Sequence, residues 1–363
     1  MADAHAARQA RHRDARDGGH AAGRARHRRL PPDPSLGAGP RASRPRDTSN
    51  IRTHRRKQSM AEKEATSQPR VGVAGLGVMG SAIARRLLDC GKAVTVTSRR
   101  PEAAADLLAA GALWAESPAA LAAACDVIIV SANNDAQVED IAFGANGIAG
   151  GGAATRLTLV DMSTISAQQT ARLAARAAGM NMGWVDAPLS GGAPAALQGR
   201  MTLFLGGEAS DVATARTVLS DLSNRMTHLG PAGSGQAVKV INQVLVGIGI
   251  FALSESASLA NASGLDPKLV VQALTGGRAD SVIFQEFFAK FADRDYTPTG
   301  RIGNMLKDMQ NAQDLGRGAN LALPFISLSL DLNRWLVAQG LGDADIAATM
   351  EFYGKGKGAA QGA

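Results

Sequence analysis

Lys239 and Gln243 stand four residues apart in the stretch Gly233-Ser234-Gly235-Gln236-Ala237-Val238-Lys239-Val240-Ile241-Asn242-Gln243. On a helix that spacing sets both side chains on one face, and the apolar residues around them predict that the face is buried. A lysine taken out of water must find a partner or give up its proton. Either condition suits it to hand a proton to a carbonyl oxygen that is gaining negative charge. Asp186-Ala187-Pro188-Leu189-Ser190-Gly191-Gly192 ends a predicted strand in one hydroxyl and two glycines, so Ser190, Gly191 and Gly192 could offer O–H and backbone N–H groups to a small carboxylate. Earlier, Gly75-Leu76-Gly77-Val78-Met79-Gly80 follows one predicted strand and opens a helix. Glycines at that spacing let the backbone turn sharply, approach a pyrophosphate and pack helix on strand, while the helix start presents free N–H groups to the anion.

The end of the second predicted strand bears on which dinucleotide would fit. A site for NAD usually grips the ribose hydroxyls with Asp or Glu about 20 residues beyond the glycines. Here the chain reads Thr97-Ser98-Arg99-Arg100, with no carboxylate and two guanidinium groups able to pair with a 2′-phosphate. The expected cofactor is NADP(H), with NAD(H) as second choice; the alternative is a solvated basic pair. Asp161-Met162-Ser163-Thr164 lies at the carboxyl edge of another predicted strand, where open α/β sheets keep their ligands. Lys307-Asp308, on a late predicted helix, either closes such a cleft or is a solvated ion pair.

Composition removes several other chemistries. Residues 1–59 hold fourteen Arg and one Lys against five Asp, a net of +10, which leaves the rest of the chain at −3 and gives no reason to expect a nucleic-acid partner. Five of the six histidines fall in that extension and only His228 follows it, so a histidine metal cluster or histidine-based catalysis is not expected, and no metal site is predicted. Cys90 and Cys125 cannot build a disulfide framework, sit where small buried residues are expected, and fit a reducing, cytoplasmic setting. Trp114, Trp184 and Trp335 are scattered without a stacking pattern. The longest strongly apolar run, residues 244–253, is about half the roughly 20 residues a bilayer needs, so no membrane partner is expected.

Short β-rich runs at 71–74, 93–97, 127–131 and 157–161 alternate with helical stretches after Val78, Pro101, Ser117 and Ser166. Further strands are expected at 184–187 and 201–205, and beyond Pro231 everything reads as helix: 235–262, 267–274, 283–291, 304–318 and 326–338. The expected fold is α/β, a Rossmann-type doubly wound parallel sheet followed by an all-α C-terminal domain. The expected organisation is a disordered basic extension over 1–68, a dinucleotide domain over 69–231, a helical domain over 232–355 and a flexible tail over 356–363.

Taken in order, Gly75 to Gly80, Asp161 to Thr164, Asp186 to Gly192, Lys239 to Gln243 and Lys307-Asp308 resemble the β-hydroxyacid (3-hydroxyisobutyrate) dehydrogenase family, related to 6-phosphogluconate dehydrogenase. Within it, Lys239 to Gln243, Arg301-Ile302 and Lys307-Asp308 look most like the 2-hydroxy-3-oxopropionate reductases. The resemblance implies reversible oxidation of a small 3-hydroxy acid to its semialdehyde and a homodimer or homotetramer built through the long helix. It implies Lys239 as general acid/base with Gln243 and Ser190 as catalytic partners, and Gln243 standing where many members have Asn. Ser190, Gly191, Gly192, Lys239, Asn242 and Gln243 would bind substrate. The glycine motif, Ser98, Arg99, Arg100, Asn133, Thr164, Lys307 and Asp308 would bind cofactor. Two departures stand out: Gly300, where several relatives carry an aromatic residue, and Ala132-Asn133, where relatives often have Leu-Pro. Two other readings stay open: a C=N-reducing relative of the imine reductases, which usually place Asp or Tyr at position 239, and a non-catalytic dinucleotide-binding protein.

Overall fold

Val71–Ala74 (β1), Val94–Thr97 (β2), Val127–Val130 (β4), Thr158–Asp161 (β5) and Gly183–Asp186 (β6) form the parallel heart of one sheet, with the two-residue Leu113–Trp114 (β3) at its edge. The structure is a computed structural model and describes residues 69–152 and 156–354; the expectations for the extension and the tail lie outside the described residues. Strand order is β3-β2-β1-β4-β5-β6, the doubly wound order, and the direction of progression reverses between β1 and β4. Leu189–Ser190 (β7) and Thr202–Gly207 (β8) continue it antiparallel, and Arg225–Gly230 (β9) pairs parallel to β8. The helices among these strands are Val78–Asp89 (α1), Ala105–Ala109 (α2), Pro118–Ala124 (α3), Asp135–Phe143 (α4), Ala167–Ala178 (α5), Gly192–Leu197 (α6) and Ala209–Leu219 (α7).

β1, β4, β5 and β6 are buried at every position because helices cover both faces; β1 and β4 accordingly read as continuous apolar runs, while β5 and β6 each end on a buried Asp. Side chains alternate between the faces. Val127 and Ile129 join the cluster containing Ile83 and Leu87, while Ile128 and Val130 join the one containing Leu121 and Leu173. Truncating a fully buried member such as Ile129 to Ala would cost about 2–5 kcal/mol.

Five helices follow: Ser234–Ala262 (α8), Pro267–Leu274 (α9), Val282–Ala292 (α10), Ile302–Gly318 (α11) and Pro324–Ala338 (α12), then a 3₁₀ turn at Ile346–Tyr353. Phe284, Phe288, Phe291, Met305, Met309 and Ile326 pack against Val240, Ile250 and Leu253 of α8, bringing α11 alongside it. By length and composition α8, at 29 residues, would suffice to cross a membrane, being longer than the apolar run 244–253 within it. It is the spine of the helical domain, and 44% of its most apolar window is buried inside the protein. Cys125 is buried as expected, but Cys90 is only half-buried at the end of α1. Trp184 stacks parallel to Phe143 at 6.2 Å, and Trp335 lies 4.6 Å from Phe352, so two of the tryptophans do pair with rings.

Candidate functional site

The glycine turn after β1 has the form its spacing implies. Gly75 has φ +94°, and a Cβ there would lie 2.2 Å from Ser131 O; a Cβ on Gly80 would lie 1.8 Å from Gly75 O. Both positions exclude any side chain, and the clearance keeps α1 close to β1 and β4. Gly77 faces open space, and as N-cap of α1 it lends no side-chain cap to the helix. The first N–H groups of a 12-residue helix thus meet a surface without a Cβ, a fit for a pyrophosphate.

A cavity of about 680 Å³ opens over this turn at the switch point between β1 and β4, within the range of small-ligand sites. It brings together Gly75, Leu76, Gly77, Ser98, Arg99, Arg100 and Asn133. Val78, Met79 and Gly80 do not line it: Val78 is 78% exposed and Gly80 is taken up in packing. Arg99 and Arg100 are exposed, and neither forms an ion pair among the described residues. Sequence reasoning missed Thr97, Glu116, Ser131 and Gln137 on the cavity wall. Asn134 could have signalled its side of the wall, since it caps α4 by accepting from Gln137 N–H, a pattern visible as Asn followed three residues later by Gln.

From the cavity wall a run of polar contacts leads to Lys239. Ala132 N–H donates to Ser163 Oγ at 2.9 Å. Next to Ser163, Thr164 O accepts from Lys307 Nζ at 2.7 Å, and Lys307 Nζ lies 3.4 Å from Asp308 Oδ1. Asp308 Oδ2 accepts from Gln243 Nε2 at 2.6 Å, and Gln243 Oε1 accepts from Lys239 Nζ at 3.0 Å and from Asn242 Nδ2 at 2.8 Å. The i, i+4 spacing of Lys239 and Gln243 therefore does place them together on one buried face. Asp308 is buried, and Lys307 is held by Thr164 O and by Asp308 at the edge of that cluster. Burial pushes the Lys239 ammonium down to about 8, the Asp308 carboxylate opposing that fall and the Lys307 charge adding to it. Near neutral pH such an amine is a ready proton donor, and slightly above it a base.

The start of α8 is fastened to the sheet. Asp186, at the end of β6, accepts from Gly233 N–H at 2.8 Å and Gln236 N–H at 2.9 Å, so a buried carboxylate meets the positive end of the helix. Gln236 in turn reaches the loop after β5: its Nε2 donates to Ser163 O at 2.9 Å, and its Oε1 accepts from Ile165 N–H at 3.3 Å. Neither tie was foreseen, because each joins residues about 50 to 70 positions apart. Asp161 opens the same loop; burial pushes its carboxyl up to about 7, although Oδ1 accepts from Ser163 N–H, and Oδ2 finds no partner among the described residues. Ser190, Gly191 and Gly192 occupy the turn from β7 into α6, with Ser190 opposite Thr202 of β8, and are not bonded to the lysine cluster among the described residues. His228 Nε2 lies 2.9 Å from Gly207 O and 3.1 Å from Gly230 O, a structural bond between β8 and β9.

The NAD binding domain of 6-phosphogluconate dehydrogenase matches residues 70–230, and the NAD-binding domain of NADP-dependent 3-hydroxyisobutyrate dehydrogenase matches residues 233–353. The chain is 32% identical over 284 residues to L-threonate dehydrogenase of Cupriavidus necator, covering 78% of this chain and 95% of that protein. It is also 32% identical over 282 residues to 2-hydroxy-3-oxopropionate reductase of Escherichia coli, covering 78% and 96%. The crystal structure of a 3-hydroxyisobutyrate dehydrogenase from Salmonella typhimurium superposes with a TM-score of 0.71 at 30% identity, covering 78% of this chain and 99% of that one.

Proposed function

The chain belongs to the 3-hydroxyisobutyrate dehydrogenase family and is an NAD(P)-dependent oxidoreductase, and we propose that it interconverts a small 3-hydroxy acid and its semialdehyde, prefers NADP(H), and uses Lys239 as general acid/base. The observation that carries this reading is the buried ammonium of Lys239, held by Gln243 and joined through Asp308, Lys307 and Thr164 to Ser163, which accepts from Ala132 N–H on the cavity wall.

A bound nicotinamide dinucleotide supplies the hydride in reduction and takes it back in oxidation. When the aldehyde carbon is reduced, the electron pair of its C=O bond moves to the oxygen. Lys239 Nζ stabilises that charge and gives up a proton to it, and the neutral amine then recovers a proton from solvent. In oxidation the neutral amine takes the hydroxyl proton. Gln243 Oε1 orients the amine, and because burial brings the ammonium down to about 8, both protonation states are accessible. Ser190 with the peptide groups of Gly191 and Gly192 would hold the substrate carboxylate, Thr164 would contact the nicotinamide end of the cofactor, and Asn242 flanks the Gln243 amide. Arg99 and Arg100 select the 2′-phosphate.

The test is a spectrophotometric screen at pH 7 with NADPH and short oxo acids, namely tartronate, succinic and methylmalonate semialdehydes and glyoxylate. 3-Hydroxyisobutyrate, whose primary hydroxyl gives a semialdehyde, serves with NADP+ in the oxidising direction. NADPH consumption with at least one semialdehyde acid is expected, and none with any of them overturns the reading.

A further inference from the structure

Gln236, Lys239 and Gln243 stand at i, i+3 and i+7 of α8, on one face, and all three are buried; Gln236 is 0% exposed. Both ends of the Gln236 amide are spent on the loop after β5, one on the carbonyl of Ser163 and one on the N–H of Ile165. The residue between them is Thr164, whose own carbonyl is held by Lys307. Three consecutive residues of a loop without strand partners are thus fixed by two side chains, and one of those side chains sits a single helical turn before Lys239.

We propose that Gln236 is a positioning residue for the reaction, setting the distance between Thr164 and the amine of Lys239. The inference rests on the functional reading given above, in which Thr164 lies against the nicotinamide and Lys239 protonates the substrate. An α-helix is stiff, and Gln236 and Lys239 are separated along it by about 4.5 Å of rise. Whatever fastens the loop to Gln236 therefore fastens it to the lysine. The start of the helix cannot drift, because Asp186 holds the Gly233 and Gln236 N–H groups. Only a carboxamide both donates and accepts at this reach: a carboxylate would leave Ser163 O without a donor, and a hydrocarbon would leave both peptide groups unpaired in a dry site. Ser163 also accepts the Ala132 N–H from the cavity wall, so the fastened loop is continuous with the dinucleotide cavity.

Gln236→Met keeps the volume and removes both bonds; Gln236→Asn keeps the amide but is one methylene too short to span both peptide groups. For either variant we expect faster hydrogen exchange across residues 161–167 in the cofactor-free protein and NADPH affinity by fluorescence titration within about twofold of wild type. Turnover should be reduced roughly 10- to 100-fold, the loss that a displacement of about 1 Å produces. The deuterium isotope effect on kcat, with NADPH labelled at the transferred position, should rise as hydride transfer becomes limiting. A purely structural glutamine would lower the melting temperature while leaving kcat per folded site and the isotope effect as in wild type, and that result, in whichever variant folds, overturns the inference. So does a loss confined to the KM for NADPH. A wild-type chain that consumes NADPH while both variants match it defeats the inference alone, whereas a wild type inactive on every semialdehyde acid defeats the underlying reading and the inference together.

Discussion

Gln243 Nε2 on α8 donates to Asp308 Oδ2 on α11 across 2.6 Å, and this bond turns the other end of the amide toward Lys239. An amide is free to flip end for end unless something distinguishes its two atoms. Asp308, which can only accept when ionised, makes the distinction. It is also the negative charge facing Lys239, opposed by the positive charge of Lys307. Asp308→Ala is therefore expected to lower kcat/KM for reduction roughly 10- to 100-fold. It should also move the alkaline limit of the reduction profile to lower pH, because the charge that supports the ammonium is gone. Asp308→Asn, which can still accept from Gln243, should recover part of the rate but keep the displaced pH profile. A profile identical to wild type in both variants would show that Asp308 does not act on the lysine.

Lys239 gives the second prediction. Burial holds its ammonium at about 8, below the ordinary lysine value, so the protonated donor needed for reduction is present below about pH 8 and lost above it. In oxidation the neutral base is needed, and the rate should climb through the same pH. Lys239→Ala should fold, since it relieves a buried charge, and should bind NADPH, yet lose about 10²- to 10⁴-fold in turnover. Near-normal turnover of aldehyde acids by this variant would remove Lys239 from the chemistry.

The cofactor choice turns on Arg99 and Arg100 at the end of β2, both on the cavity wall. A charge-assisted bond to a 2′-phosphate is worth about 1.5–3 kcal/mol, so Arg99→Ala should raise the KM for NADPH roughly 10- to 100-fold and leave that for NADH nearly unchanged. Steady-state kinetics with both cofactors decide it, and an unaltered ratio would return the pair to the role of solvated surface charges.

The features legible in the sequence were those generated by local physics. β1 and β4 announce themselves because burial on both faces demands unbroken apolar runs, and Lys239 with Gln243 because helical spacing alone puts them on one face. β3 and β7 have two residues each, too few to carry a period, and β9, Arg-Met-Thr-His-Leu-Gly, lies largely exposed at the sheet margin with no apolar face to betray it. α4, α6 and α7 also went unread, α4 and α7 having only a weak apolar stripe. The ties that complete the site were out of reach for a different reason. Gln236 to Ser163 and Gln243 to Asp308 join residues 73 and 65 positions apart, and nothing in the spacing of a glutamine says which distant carbonyl or carboxylate it will meet.

Asp161 supplies the last prediction, one of stability rather than rate. Its carboxyl is buried beneath the loop that Gln236 fastens, Oδ1 accepts from Ser163 N–H, and burial raises it to about 7 from an ordinary 3.8. A group with a raised folded-state value binds its proton more tightly when folded, so its favourable contribution is complete below about pH 4 and is lost as pH rises through about 7. The loss amounts to roughly 2–4 kcal/mol by pH 8. Asp161→Asn keeps an oxygen for Ser163 N–H and carries no charge at any pH. Urea unfolding between pH 5 and pH 8 should then show wild-type stability falling with pH while the variant changes less, the variant being the more stable at pH 8. The buried Asp186 on the neighbouring strand, its own carboxyl raised by burial, leaves a residual slope in both proteins. Parallel pH dependence in wild type and variant would mean that Asp161 is ionised in the folded protein.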